Sequence, residues 1–220
     1  MGRINISKRS AGVHFNEKGE AEILLWAPLP RKAAVYLPAS DTLLPLHKSS
    51  RGYWELTTTA LRPGDLYKYL LNDDKALPDP VSLSQPQGVH GPSEAVDISK
   101  FQWTDDARPD IPLENYIIYE LHTGSFSPEG SFAGIEEKLD YLVELGITAI
   151  ELMPVATFPG SRNWGYDGVY PFAVQHSYGG PGAFQHLVNA CHNKGLAVIL
   201  DTVYNHFGPE GNYLGEFGPY

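Results

Sequence analysis

Apolar and polar positions alternate in short runs through residues 13–72. Ala21–Trp26, Ala33–Leu37, residues 42–46, Tyr53–Thr58 and Leu66–Leu71 are rich in branched and aromatic side chains. Turn formers separate them: Pro28 and Pro30, Pro38, Arg51-Gly52 and Arg62-Pro-Gly64. A period of two, broken by turn signals roughly every ten residues, predicts a small antiparallel β-sandwich. Residues 77–112 then become rich in Pro, Gly, Ser and Asp, as in Leu77-Pro-Asp-Pro80. Such text predicts an irregular connection, long enough to pack on the elements it joins.

A second pattern starts near Tyr116. Residues 116–122 read as a buried strand whose last positions are Glu120 and His122. Ser131 is placed to cap a helix with Ile135, Leu139, Leu142 and Val143 on one face, and Gly146 fits its C-terminal end. Residues 147–153 form the next strand, closed by Pro154. A long polar and aromatic loop is expected over 155–180. It is followed by a helix with Phe184, Leu187, Val188 and Cys191 on one face, then a strand over 196–203. Helix, glycine and strand thus recur twice, at Glu144-Leu-Gly-Ile and at Asn193-Lys-Gly-Leu. A β-α-β-α-β series calls for a parallel sheet with right-handed crossovers. The text divides into a first domain over 1–105, linker included, and a second over 106–220.

Charge narrows the ligand. The net charge is −10, of which residues 1–110 carry −1 and residues 111–220 carry −9. A half so poor in Lys and Arg is unsuited to nucleic acid, phosphates or anionic membranes. It is also rich in aromatics, and rings beside carboxylates suit neutral sugars as well as an ordinary core. No apolar run approaches the 18 or so residues of a membrane span. The N-terminal nine residues show no apolar stretch behind their charges, so no signal peptide is expected. Cys191 is the single cysteine; it fits a core position and a reducing, cytoplasmic setting. The histidines lack metal-ligand spacing and no phosphate-binding glycine loop occurs, so neither zinc nor nucleotide is expected.

Polar residues gather where the third strand should end, at Asp201-Thr-Val-Tyr-Asn-His206. In α/β folds chemistry collects at strand C-termini, although a plain strand-ending turn would also be polar. This stretch resembles the signature Asp-x-Val-x-Asn-His of the α-amylase superfamily of glycoside hydrolases, which ends barrel strand three. Trp164-Gly-Tyr-Asp-Gly168 resembles that family's loop after strand two, and 116–124 its strand one. Residues 78–94 and the passage Asn205-His-Phe-Gly-Pro-Glu-Gly-Asn-Tyr213 are most similar to the maltooligosyltrehalose trehalohydrolase branch of the family.

The resemblance implies an N-terminal β-sandwich of carbohydrate-binding type, followed by the first three β/α units of a (β/α)8 TIM barrel, incomplete over these residues. It implies a retaining mechanism on maltooligosyltrehalose or a related α-glucan. The nucleophile and general acid would follow strands four and five, beyond Tyr220, so none of the acids here is assigned a catalytic role and the 220 residues alone are expected to be inactive. Tyr166 would stack on the sugar, His206 would bond a hydroxyl, and Asp201 would brace the site. Trp164 and Asp167 would line the pocket or shape its loop. Asn205 ligates calcium in some amylases, but this branch is not expected to use it; a structural role, no metal and no cofactor are expected. A glycogen branching enzyme and a non-catalytic glucan-binding protein remain open alternatives.

Overall fold

The computed structural model describes residues 11–105 and 109–220, so the N-terminal segment expected to carry no leader lies outside the described residues. Contacts group the chain into two compact units. One runs to Lys100 and also takes in Glu210–Tyr220; the other is Phe101–Pro209.

The first unit is built from two antiparallel sheets. In one, β1 (Gly12–Phe15), β2 (Ala21–Trp26), β6 (Tyr53–Thr58) and β5 (His47–Lys48) lie side by side in that order. In the other the order is β4 (Thr42–Pro45), β3 (Ala33–Leu37), β7 (Leu66–Leu71) and β8 (Lys75–Leu77), with β9 (Ser93–Glu94) also on β7. Burial alternates strictly along β2, β3 and β7, which is the period of two read from the sequence. Ile23, Leu25 and Trp54 from one sheet share a core with Val35, Leu37, Tyr67 and Tyr69 from the other.

The irregular stretch after Leu77 is held by polar contacts that its composition does not advertise. Asp79 is fully buried and accepts a 2.5 Å hydrogen bond from the Tyr67 hydroxyl. Ser93 Oγ accepts from the Asp79 amide at 2.9 Å and from Gln85 Nε2 at 2.7 Å. A buried carboxylate is tolerated only with such partners.

Residues 210–220 complete this unit. They form the short helix α5 (Leu214–Phe217), and Phe217 is fully buried edge-on to Tyr69, their centroids 6.3 Å apart. Lys75 pairs with Glu216 at 2.7 Å, and the Tyr220 hydroxyl donates to the Trp26 carbonyl at 2.8 Å. The sequence reading grouped these residues with the second domain; their contacts are with the first unit.

The second unit carries a parallel sheet in the order β10 (Ile118–Leu121), β11 (Ala149–Leu152) and β14 (Ala197–Leu200). The register aligns Glu120 with Glu151 and Ile199, and Leu121 with Leu152 and Leu200. Between β10 and β11 come α1 (Thr123–Phe126), α2 (Phe132–Glu136) and α3 (Leu139–Glu144). The Ser131 hydroxyl caps α2, accepting the Gly134 N–H at 3.3 Å.

Four details depart from the sequence reading. The single expected helix is broken at Lys138 (φ −102°, ψ 0°), where the Lys138 amide bonds Ile135 three residues back. Ile135, Leu139 and Leu142 are fully buried, but Val143 is exposed, so the apolar stripe is narrower than its spacing suggested. The expected loop over 155–180 contains a hairpin of β12 (Ala156–Thr157) and β13 (Tyr170–Val174). The third strand stops at Leu200, leaving Asp201 just beyond its end.

The helix α4 (Gly180–Asn193) follows the hairpin, with Pro181 in its first turn and Leu187 and Cys191 buried. Burial pushes the Cys191 thiol up to about 12, which makes it an inert packing residue. Among the described residues, no helix is long and apolar enough to cross a membrane.

Candidate functional site

Two segments of the second unit meet beyond the C-terminal ends of β11 and β14. One is the loop 163–168 and the other the chain after Leu200. The Tyr166 hydroxyl donates to Asp201 Oδ2 at 3.1 Å. His206 Nε2 lies 2.8 Å from the Tyr166 carbonyl oxygen. A carbonyl only accepts, so Nε2 carries the proton, and the Nδ1 of the neutral ring is left as an acceptor. Asp201 and His206, each singled out in the sequence, are thus both tied to Tyr166, the third residue singled out there.

The loop is pinned by its own side chains. Asn163 Oδ1 accepts the Gly165 N–H at 2.7 Å, and Asn163 Nδ2 donates to Asp167 Oδ2 at 2.7 Å. Gly165 adopts φ +97°, and a Cβ there would stand 2.1 Å from the Pro154 carbonyl oxygen. Only glycine satisfies both the conformation and the approach. Gly208 presses on the loop from the other segment. Its amide bonds the Gly168 carbonyl at 3.1 Å, and a Cβ there would meet the Asp167 oxygen at 2.3 Å.

Asp167 therefore shapes the loop, while Trp164 projects from it with 73% of its surface exposed. Tyr166 keeps 37% exposure; Asn205 is exposed. Asn163 was missed in the sequence, although Asn163-Trp-Gly165 carries the spacing of an Asx turn.

Carboxylates dominate the electrostatics around Tyr166. The hydrogen bond to Asp201 raises the Tyr166 phenol above its ordinary value, helped by partial burial and by the charges of Asp201, Glu120 and Glu151. The phenol stays neutral, and its proton points at a carboxylate. Glu120 and Glu151 face the same side because the parallel register sets them opposite one another. Among the described residues, no three His, Cys, Asp or Glu side chains gather in a way that could hold a metal ion.

A parallel strand–helix unit with an aromatic–carboxylate–histidine cluster at its strand ends has polar side chains where α/β folds place their sites. The catalytic domain of alpha amylase matches residues 81–217, and the chain belongs to that family. It is 50% identical over 209 residues to a malto-oligosyltrehalose trehalohydrolase of Saccharolobus solfataricus, across 95% of this chain and 36% of that protein. A 1,4-alpha-glucan branching enzyme of Pseudoalteromonas atlantica is 34% identical over 193 residues, across 79% of this chain and 26% of that one. A solved structure of a Salmonella typhimurium protein, provisionally named an alpha amylase, superposes with a TM-score of 0.90. It is 40% identical, and the match covers 96% of this chain and 36% of that one. The chain spans about a third of the length of the curated relatives it matches.

Proposed function

We propose that this chain is part of a retaining α-glucan hydrolase that cuts the α-1,4 bond beside a terminal trehalose, and that Tyr166, Asp201 and His206 hold the sugar under attack. In this reading β10, β11 and β14 are the first three strands of a (β/α)8 barrel, and the antiparallel unit is a carbohydrate-binding-type sandwich.

The observation that carries the reading is the pair of hydrogen bonds that ties Asp201 and His206 to Tyr166. A pyranose offers an apolar face and a ring of hydroxyls. The Tyr166 ring supplies a flat partner for the face, and its hydroxyl is tied to Asp201, so the ring cannot swing away. His206 spends Nε2 on the Tyr166 carbonyl and offers Nδ1 to a sugar hydroxyl. Fixing the sugar in this way lowers the barrier by orientation, an effect that can amount to several kcal/mol. The negative surroundings favour a neutral glucan over a phosphorylated one. Bond cleavage would fall to two carboxylates about 5–5.5 Å apart, a nucleophile and an acid, which the family resemblance assigns to strands four and five.

The similarity to a branching enzyme favours a second reading, transfer of α-1,4 segments to α-1,6 positions. Product analysis separates the two. Maltooligosyltrehalose incubated with the enzyme that carries these residues is expected to release free trehalose. New α-1,6 branch points without trehalose would overturn the proposal in favour of branching. The 220 residues by themselves are expected to yield neither product.

A further inference from the structure

The exposed rings on the 163–168 loop bury too little to hold themselves in place, so something at the loop's base must do it. One atom there draws two donors. The Asn163 carbonyl oxygen lies 2.7 Å from His122 Nε2 and accepts the Tyr178 hydroxyl at 3.3 Å. His122 Nε2 also lies 3.0 Å from the Tyr178 oxygen, which closes a triangle. His122 follows the last residue of β10, and Tyr178 sits just before α4. Two remote parts of the chain thus converge on the first residue of the loop.

We propose that His122 and Tyr178 are positioning residues for the sugar-facing loop, their N–H and O–H gripping the Asn163 carbonyl so that Trp164 and Tyr166 are presented in one orientation. The proposal rests on the reading of Tyr166 as a sugar platform, but its central measurement does not.

The grip is itself well supported. The Asn163 carbonyl can only accept, which puts the ring proton on His122 Nε2. Nδ1 then accepts from the Ser125 hydroxyl 2.9 Å away. Ser125 is held in turn, its amide bonding the His122 carbonyl at 3.1 Å. Tyr178 is 1% exposed and packs edge-on against Phe132 and Phe158. Burial pushes its phenol up to about 12, so it keeps its proton at any pH near neutrality. Both donors are therefore held in place before a ligand arrives. A site held by its second layer of contacts keeps its first layer ready.

Three substitutions in the 220-residue chain test this, read by amide hydrogen exchange. Gln at position 122 offers an N–H near the place of Nε2, whereas Asn reproduces only the Nδ1 side; Phe at 178 keeps the ring and removes the hydroxyl. His122→Asn and Tyr178→Phe are expected to speed exchange across residues 163–167 about tenfold, the loss of one net hydrogen bond, with the sheet amides unchanged. His122→Gln is expected to stay near the unsubstituted rate.

Unchanged exchange at 163–167 in His122→Asn would overturn the proposal. So would equal acceleration in His122→Gln and His122→Asn, or acceleration of every amide together, which would mean that these residues serve general stability. A parallel titration with maltoheptaose keeps the two ideas apart. Absence of binding by the unsubstituted chain would count against the sugar platform, while the exchange result still decides the grip.

Discussion

Replacing Phe217 with alanine is expected to destabilise the antiparallel unit by about 3–5 kcal/mol, the range for deleting a fully buried phenylalanine. Its ring has no exposed surface and stands edge-on to Tyr69 in the same core as Val35 and Leu25. By sequence it stands three residues before Tyr220, where a substitution in an exposed tail would cost within about 0.5 kcal/mol. Denaturant unfolding followed by the fluorescence of Trp54, buried in that core, would measure the difference. A cost below 1 kcal/mol would show that residues 210–220 do not belong to the unit.

The second large effect is expected at Gly165. An alanine there carries about 1–3 kcal/mol of backbone strain at φ +97°. Its Cβ would also collide with the Pro154 carbonyl, which cannot turn aside as a flexible side chain could. The loop has to move, and the 3.1 Å contact between Tyr166 and Asp201 should break with it. The expected result is a stability loss of about 2 kcal/mol or more, together with loss of the Tyr166 hydroxyl proton signal from its hydrogen-bonded position. Native stability with that signal unchanged would contradict the account of the loop.

What could be read in advance followed from local periodicity. Strands β2, β3, β6 and β7 lie where alternation put them, because each turns one face into the core and leaves the other less buried. The helix start at Ser131 was equally legible, since a cap is a local contact. Tyr166, Asp201 and His206 were legible through motif resemblance, and the structure joins them by hydrogen bonds that no spacing rule supplies.

The rest was hidden because it depends on distant partners. The buried contacts of Asp79 look from the sequence like loop polarity, since Tyr67 and Ser93 are brought to it only by folding. Phe217 was grouped with the second domain because nothing nearby in the sequence announces the core it enters. His122 and Tyr178 act on Asn163 across 41 and 15 residues, and only the folded chain brings the three together. The break at Lys138 escaped notice for another reason, as the buried residues on both sides of it keep helical spacing.

The central claim is that Tyr166, Asp201 and His206 hold one glucose unit of an α-glucan. The most direct test is an NMR titration of the 220-residue chain with maltooligosyltrehalose, following the ring signals of Tyr166 and His206 and repeated with Tyr166→Ala. The account predicts saturable shifts at both rings, weakened about tenfold or more by the substitution, the loss of one aromatic contact with the sugar. Shifts confined to the antiparallel unit, or binding untouched by Tyr166→Ala, would contradict it.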